Sequence, residues 1–181
     1  AAECLLGMKK WEEASKAYRK VIEKYGDSEE YEQMVADSRF RLGECYFRLG
    51  NYKEAKNTFD KLMHEHSMLD IAPQAQYWIA EVLLEEGKYT EAIHEYKKVI
   101  TLYPESDVVD DAYYGIGYAY FKQEKYPEAA KQFKIAARTP GSNLTNAAYF
   151  RIGECFRIQR EFNTAIFYYK KIPSKSEYYD D

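Results

Sequence analysis

Residues 79–104 read IAEVLLEEGKYTEAIHEYKKVITLYP. Its apolar residues recur every three or four positions on either side of Gly87, as they do on the buried faces of two helices. The segment around Gly87 is only long enough to reverse an antiparallel helix pair, and Pro104 marks the end of the second helix. The stretch therefore predicts a helical hairpin.

The same pattern recurs five times along the chain. Each unit is marked by an alanine in its second helix, with aromatic residues three positions before it and four after it. The marker alanines lie 41, 37, 37 and 36 residues apart: Ala14, Ala55, Ala92, Ala129 and Ala165. Periods of this length indicate a solenoid of stacked helix pairs. The sequence therefore predicts an all-α solenoid of about four and a half repeats.

The register also predicts where each helix begins and ends. Second helices are expected at 11–25, 52–66, 89–103, 126–138 and 162–172, and first helices at 35–49, 73–86, 110–123 and 144–159. We expect residues 1–181 to form a single array. Its repeats cover 1–30 in part, 35–68, 72–106, 109–141 and 143–173, and a further repeat starts at 174–181. We expect Ala1 to begin partway through a first helix, so that the chain is cut from a longer array.

Composition and charge exclude several classes of protein. Hydrophobic residues make up 46% of the 181 residues, and 9 Gly and 5 Pro are too few for a disordered chain. The net charge is −4, and Lys and Arg are scattered among Glu, which argues against a nucleic-acid partner. The apolar runs are only a few residues long, far below the ~20 that a membrane span requires.

No catalytic, cofactor or metal motif is predicted. Cys4, Cys45 and Cys155 each stand ten positions before a marker alanine, where the other full units carry small apolar residues, so we expect them to fill one type of buried slot. His64 and His66 are two positions apart and do not share a helix face, which argues against a metal site. Catalysis would require a domain outside this segment.

Particular residues resemble a known family. Leu42-Gly43-x-x-Tyr46 with Ala55-x-x-x-Phe59, and Ala92-x-x-x-Tyr96 ending in Pro104, resemble the tetratricopeptide repeat, a helix–turn–helix unit. Residues 103–106 and 110–117 are similar to bacterial envelope members of the BamD and YbgF (Tol-Pal-associated) type. The resemblance implies a tetratricopeptide superhelix and favours the periplasm or cell envelope of a bacterium over the cytoplasm.

A second stripe on the first helices mixes aromatic and acidic residues. One apolar stripe suffices to pack a helix, so a second stripe predicts a surface that a partner covers. In the family this face lines the concave groove, and the candidate groove residues are Phe40, Glu44, Phe47, Tyr77, Glu81, Leu84, Tyr114, Tyr118, Phe121, Phe150 and Glu154. The alternative, that the longer repeats bury the aromatic residues of this stripe between helices, stays open.

These features predict a non-catalytic scaffold that binds a protein or peptide segment in the groove, without cofactor or metal. The rings would supply contact area, and the acids would select a basic or amide-rich ligand. A cochaperone clamp for acidic C-terminal peptides is not expected, because Glu44 and Glu81 would repel such a peptide. The alternative function is self-association through repeat ends or faces.

Overall fold

The computed structural model describes the backbone of residues 2–138 and 143–173 and the side chains of residues 9–138 and 144–173. Within these ranges the chain forms nine α-helices, one short 3₁₀ helix at Glu29–Tyr31 and no strand. The helices are α1 Ala2–Tyr25, α2 Glu32–Arg48, α3 Tyr52–His66, α4 Ala72–Glu85, α5 Tyr89–Leu102, α6 Val109–Lys122, α7 Tyr126–Ala136, α8 Asn143–Ile158 and α9 Phe162–Tyr169. The predicted all-α fold is confirmed.

The chain divides into two compact units, of which Ala1–Glu86 is the first. In this unit α1 packs on α2, α2 on α3, and α3 on α4. The hairpin of α2 and α3 has Ala55, Phe59 and Leu62 on its inner side, all fully buried. Ala55 and Phe59 are positions of the repeat pattern, and Leu62 continues the same helix face three residues further on.

The second unit is Gly87–Asp181, so the division falls inside the predicted repeat 72–106. Here α6 pairs with α7 and α8 with α9, while α5 packs on α6, α7 on α8, and α6 also contacts α8. Ala129 and Phe133 on α7 share one buried cluster with Ile152 and Cys155 on α8. The core therefore runs from one hairpin into the next.

A residue with a positive φ follows each of the first helices α2, α4, α6 and α8, and after α4 it is Gly87 with φ 74°. After α2 the chain turns through Gly50 with φ 74°, and the N–H of Asn51 donates to the carbonyl of Tyr46 at 2.9 Å. This bond spanning six residues satisfies a carbonyl that the helix end would otherwise leave without a donor. The same turn follows α6 and α8, where Glu124 and Arg160 hold φ values of 61° and 64°.

The expected turn in the first repeat is absent from the structure. Lys9 occupies the register position of Gly50 and Glu124, five residues before the marker alanine, yet residues 2–25 form one continuous helix. The expectation that the chain begins in a separate first helix, followed by a second helix at 11–25, is therefore wrong. Met8, Lys9 and Lys10 all favour helix, and nothing at this position supplies the glycine that eases a left-handed turn.

The other helix boundaries are close to the predicted ones. The second helices begin at the expected residues 52, 89, 126 and 162. The largest difference among them is at α9, which ends at Tyr169 and not at residue 172. Pro173 disfavours helical backbone at the residue before it, which is consistent with the early end. The predicted start of a further repeat at 174–181 lies outside the described residues.

Candidate partner-binding face

The predicted groove residues of the first unit lie on α2 and α4, and two of them are buried. Phe40 is 6% exposed and Leu84 is 8% exposed. The Phe40 ring meets the buried ring of Phe59 edge-on, with 5.7 Å between centroids. Packing therefore accounts for Phe40 and Leu84. Both side chains belong to the buried core and expose little surface to a partner.

The remaining predicted residues of the first unit are half-buried. They are Glu44 and Phe47 on α2 and Tyr77 and Glu81 on α4. The Phe47 ring lies 5.0 Å from that of Trp78 and 5.5 Å from that of Tyr52, both edge-on. Trp78, which the sequence pattern did not single out, thus connects α4 to the aromatic residues of α2.

In the second unit every predicted groove residue is half-buried. Tyr114, Tyr118 and Phe121 are on α6, and Phe150 and Glu154 are on α8. The rings rest on second helices: Tyr114 lies 5.1 Å from Phe133, Phe121 lies 5.4 Å from Tyr126, and Phe150 lies 6.0 Å from Tyr169. Each ring is supported by the core and keeps part of its surface accessible.

Arginines on the same helices engage two of the predicted acids. Arg41 donates to Glu44 at 2.7 Å, and Arg157 donates to both carboxylate oxygens of Glu154 at 2.9 and 2.7 Å. The Tyr169 hydroxyl also donates to Glu154. The bond from Arg157, aided by Tyr169 and opposed by burial, lowers the pKa of the Glu154 carboxyl. Glu44 and Glu154 are thus charged groups with partners of their own.

Two cations surround the Tyr118 ring in the second unit. Lys122 Nζ lies 5.2 Å from the ring centroid, and Arg151 Cζ lies at the same distance. The Arg151 guanidinium also lies 5.9 Å from the ring of Phe150. These cations were not predicted from the sequence, although the spacing of four residues from Tyr118 to Lys122 places both on one helix face.

We call the two parts of this surface the first-helix faces. The face of the first unit comprises Glu44, Phe47, Tyr77 and Glu81, with Arg41 beside them; that of the second unit comprises Tyr114, Tyr118, Phe121, Phe150 and Glu154, with Lys122, Arg151 and Arg157. Both combine accessible ring surface with charged groups. This composition suits contact with another polypeptide, because aromatic and Arg side chains dominate the energetics of such contacts.

The cysteines that the structure describes occupy the predicted slot. Cys45 and Cys155 are free thiols and are 1% and 0% exposed. Burial raises the pKa of both thiols, that of Cys155 to about 12. The expectation is confirmed for these two residues, whereas the side chain of Cys4 lies outside the described residues.

The histidines at the end of α3 do not build a metal site in the described part of the chain. His66 Nδ1 lies 3.2 Å from Glu32 Oε1, while His64 is exposed. Among the side chains that are described, no group of three His, Cys, Asp or Glu is placed to hold a metal ion.

Over the described ranges, no helix combines the length and the apolar character that crossing a bilayer requires.

Models of known families match along the chain. Two models described as "Tetratricopeptide repeat" match, one at residues 1–28 and 37–67 and the other at residues 114–178. A third model, described as "Anaphase-promoting complex, cyclosome, subunit 3", matches residues 59–136. No curated protein sequence matches the chain.

Solved structures share the fold at low sequence identity. MamA is 22% identical, with a TM-score of 0.70 over 89% of this chain and 85% of its own. A putative kinesin light chain from Podosopora anserina, with nearly identical TPR-like repeats, is 15% identical, with a TM-score of 0.70 over 94% of this chain and 89% of its own. The apo form of RapI has a TM-score of 0.78 at 18% identity over 90% of this chain and 48% of its own. The two repeat models together match more than half of the chain, which therefore belongs to the tetratricopeptide repeat family, and the solved structures share its fold.

Proposed function

We propose that this chain is a non-catalytic scaffold that binds a segment of a protein partner on its first-helix faces. Membership of the tetratricopeptide repeat family supports a scaffold without catalysis, since stacked helix pairs provide extended surfaces for recognition. In this proposal Phe40 and Leu84 hold the face in place, and the half-buried aromatic residues above them contact the partner.

One observation on α6 carries the proposal. Ile116 and Ala119 are 2% and 0% exposed and already supply the inner side of this helix. Tyr114, Tyr118 and Phe121 follow one another at spacings of four and three residues on another side and stay half-buried. One side of each ring packs against the buried cluster of α7 and α8, while the other side stays accessible in a continuous row. Such a row of accessible aromatic surface is typical of a face that binds another polypeptide.

Site-specific photo-crosslinking tests this proposal. A photoreactive phenylalanine analogue is placed at Tyr77 or Tyr118, and as matched controls at the exposed His94 or Lys131 of the second helices. We expect one protein to be crosslinked at Tyr77 and Tyr118 and not at the control positions. Equal crosslinking from all four positions would show no preferred face, and crosslinking from the controls alone would place binding on the second helices; either result would overturn the proposal.

We also propose a place in a bacterial cell-envelope complex. The similarity of residues 103–106 and 110–117 to envelope members of the BamD and YbgF type supports this location. Fractionation of the source cell with an antibody to this chain tests it, and recovery of the protein only with cytosolic markers would contradict it.

A second candidate function is self-assembly, and the exposure of α9 favours it. Phe162, Ile166 and Phe167 are 58%, 48% and 56% exposed. Ala130 and Ile93, which stand at the register position of Ile166 in two earlier repeats, are buried. Apolar surface of this kind often marks a contact between proteins.

Light scattering over a range of protein concentrations distinguishes self-assembly from a monomeric scaffold. Association through α9 predicts a mass that rises with concentration and returns to that of the monomer in Ile166→Lys. An exposed position on α5 provides the control, His94→Lys, which should leave the mass unchanged. A mass that stays monomeric throughout in the unsubstituted chain would exclude this function.

A further inference from the structure

We propose that the first-helix face of the second unit binds a partner segment that carries acidic side chains, which dock on Lys122 and Arg151 beside Tyr118. This inference rests on the proposed function, because it names the chemistry of the partner at that face. It departs from the expectation that acids on this surface select a basic ligand.

The charge balance of the face supports an acidic partner. Glu154 is held by Arg157 through two hydrogen bonds and by the Tyr169 hydroxyl. Within the part of the chain that the structure describes, no carboxylate lies at ion-pair distance from Lys122 or Arg151; their contacts are with aromatic rings. The positive charge of Arg151 also acts on Glu154 and helps to lower the pKa of its carboxyl. Three cations, Lys122, Arg151 and Arg157, thus share this face with one carboxylate, and its net charge is positive.

The acidic residue at the other end of α6 does not cancel this charge. Asp111 precedes Lys122 by eleven residues, which corresponds to about 16 Å along a helix axis. Burial raises the pKa of Asp111, and the nearby carboxylates of Asp110 and Asp107 raise it further. The face is therefore polarised, with its positive end at Tyr118.

The arrangement around Tyr118 also suits the geometry of carboxylate recognition. A guanidinium presents forked N–H donors that match the two oxygens of a carboxylate, and an ammonium adds a second donor group. Cation–π contacts with the rings of Tyr118 and Phe150 restrict Arg151, which reduces the side-chain entropy lost when it binds a carboxylate. The accessible parts of these rings provide apolar contact next to the charges.

Fluorescence anisotropy with synthetic peptides tests the proposal on the intact chain. Three labelled peptides share their length and their Leu and Phe positions, and the remaining positions are all Glu, all Gln or all Lys. We expect the Glu peptide to bind about tenfold more tightly than the Lys peptide at low salt, with a smaller ratio at high salt. Because the whole chain carries a net charge of −4, its overall field favours the Lys peptide, so a preference for Glu requires a local cationic site.

Two matched double variants locate the site. Lys122→Gln with Arg151→Gln should abolish the preference for the Glu peptide. Lys97→Gln with Lys131→Gln removes two exposed positive charges from second helices and should leave the preference intact. Circular dichroism confirms that both variants keep their helicity, and Lys122→Glu alone provides a second variant that should reverse the preference.

Three outcomes overturn the inference: equal or tighter binding of the Lys peptide, the same loss in both double variants, or no binding of any peptide. If crosslinking still identifies a partner at Tyr118 in any of these cases, the proposed scaffold function stands and only the acidic character of the partner is refuted. If crosslinking fails at Tyr118 while the Glu preference depends on Lys122 and Arg151, the charge selectivity stands without the scaffold role.

Discussion

Gly117 on α6 lies directly against the ring of Phe133 on α7. A Cβ atom added at Gly117 would come within 2.8 Å of two ring carbons of Phe133, and Phe133 is fully buried. Gly43 and Phe59 stand in the same relation in the first unit, with 2.6 Å to the nearest ring atoms. In both hairpins the glycine stands twelve positions before the marker alanine, and the ring stands four positions after that alanine. Because the glycine has no side chain, the first helix can pack closely against this ring.

Replacing this glycine should destabilise the protein. Alanine favours a helix over glycine by about 1 kcal/mol, but overpacking a filled core costs about 1–3 kcal/mol. Because the buried Phe133 ring cannot move aside freely, we expect Gly117→Ala to lower the free energy of unfolding by about 1 kcal/mol or more. Urea denaturation measures this, with Lys131→Ala on the exposed side of α7 as control. A variant as stable as the unsubstituted chain would refute the close contact.

The turns after the first helices permit a stabilising substitution. Glu124 holds a φ of 61°, in the left-handed region that glycine adopts without strain. Glycine relieves the strain in the folded state but adds entropy to the unfolded chain. We expect the relief of strain to be the larger effect, so that Glu124→Gly raises the free energy of unfolding by up to about 1 kcal/mol. At Gly50, whose φ is 74°, the opposite change Gly50→Ala should lower stability. Thermal or urea unfolding of both variants checks the pair, and a loss of stability in Glu124→Gly would contradict it.

The hairpin architecture followed from the sequence because the buried positions repeat with a fixed offset. Ala55 and Phe59 illustrate this, since one register placed both on the buried face of a second helix and both are fully buried. That register could not predict the continuous α1, because Lys9 holds the turn position without any residue that favours a turn.

The candidate face was predictable only in part. Its aromatic stripe could be read from spacing, but the burial of Phe40 depends on contact with Phe59 from another helix. Ion pairs such as Arg157 with Glu154 and cation contacts such as Arg151 with Tyr118 depend on side-chain conformation and on packing between helices. A list of groove residues taken from spacing therefore overstated the free negative charge of the surface.

The buried thiols should react slowly in the folded protein. Cys155 is fully buried and its pKa is raised to about 12, so almost no thiolate is present near neutral pH. We expect iodoacetamide to label Cys45 and Cys155 much more slowly in buffer than in denaturant, as measured at each residue by mass spectrometry. Cys4 is followed separately, because its side chain lies outside the described residues. Equal labelling rates in the two conditions would contradict the buried slot.

The bonds to Glu154 should make stability depend on pH in the acidic range. Arg157 and Tyr169 lower the pKa of this carboxyl below its ordinary value of 4.5. The folded state therefore holds the charged form more strongly than the unfolded chain does. This contribution to stability is complete above pH 4.5 or so and is lost as the pH falls through the lowered pKa.

Glu154→Gln should consequently lower the free energy of unfolding at neutral pH, by less than about 1 kcal/mol because the pair is partly exposed. The difference between the variant and the unsubstituted chain should shrink as the pH is lowered, since both then carry a neutral side chain at this position. Urea unfolding over a pH series measures the difference, and Glu105→Gln, at an exposed position after α5, is the control. A difference that stays constant with pH would show that Glu154 contributes through packing and not through its charge.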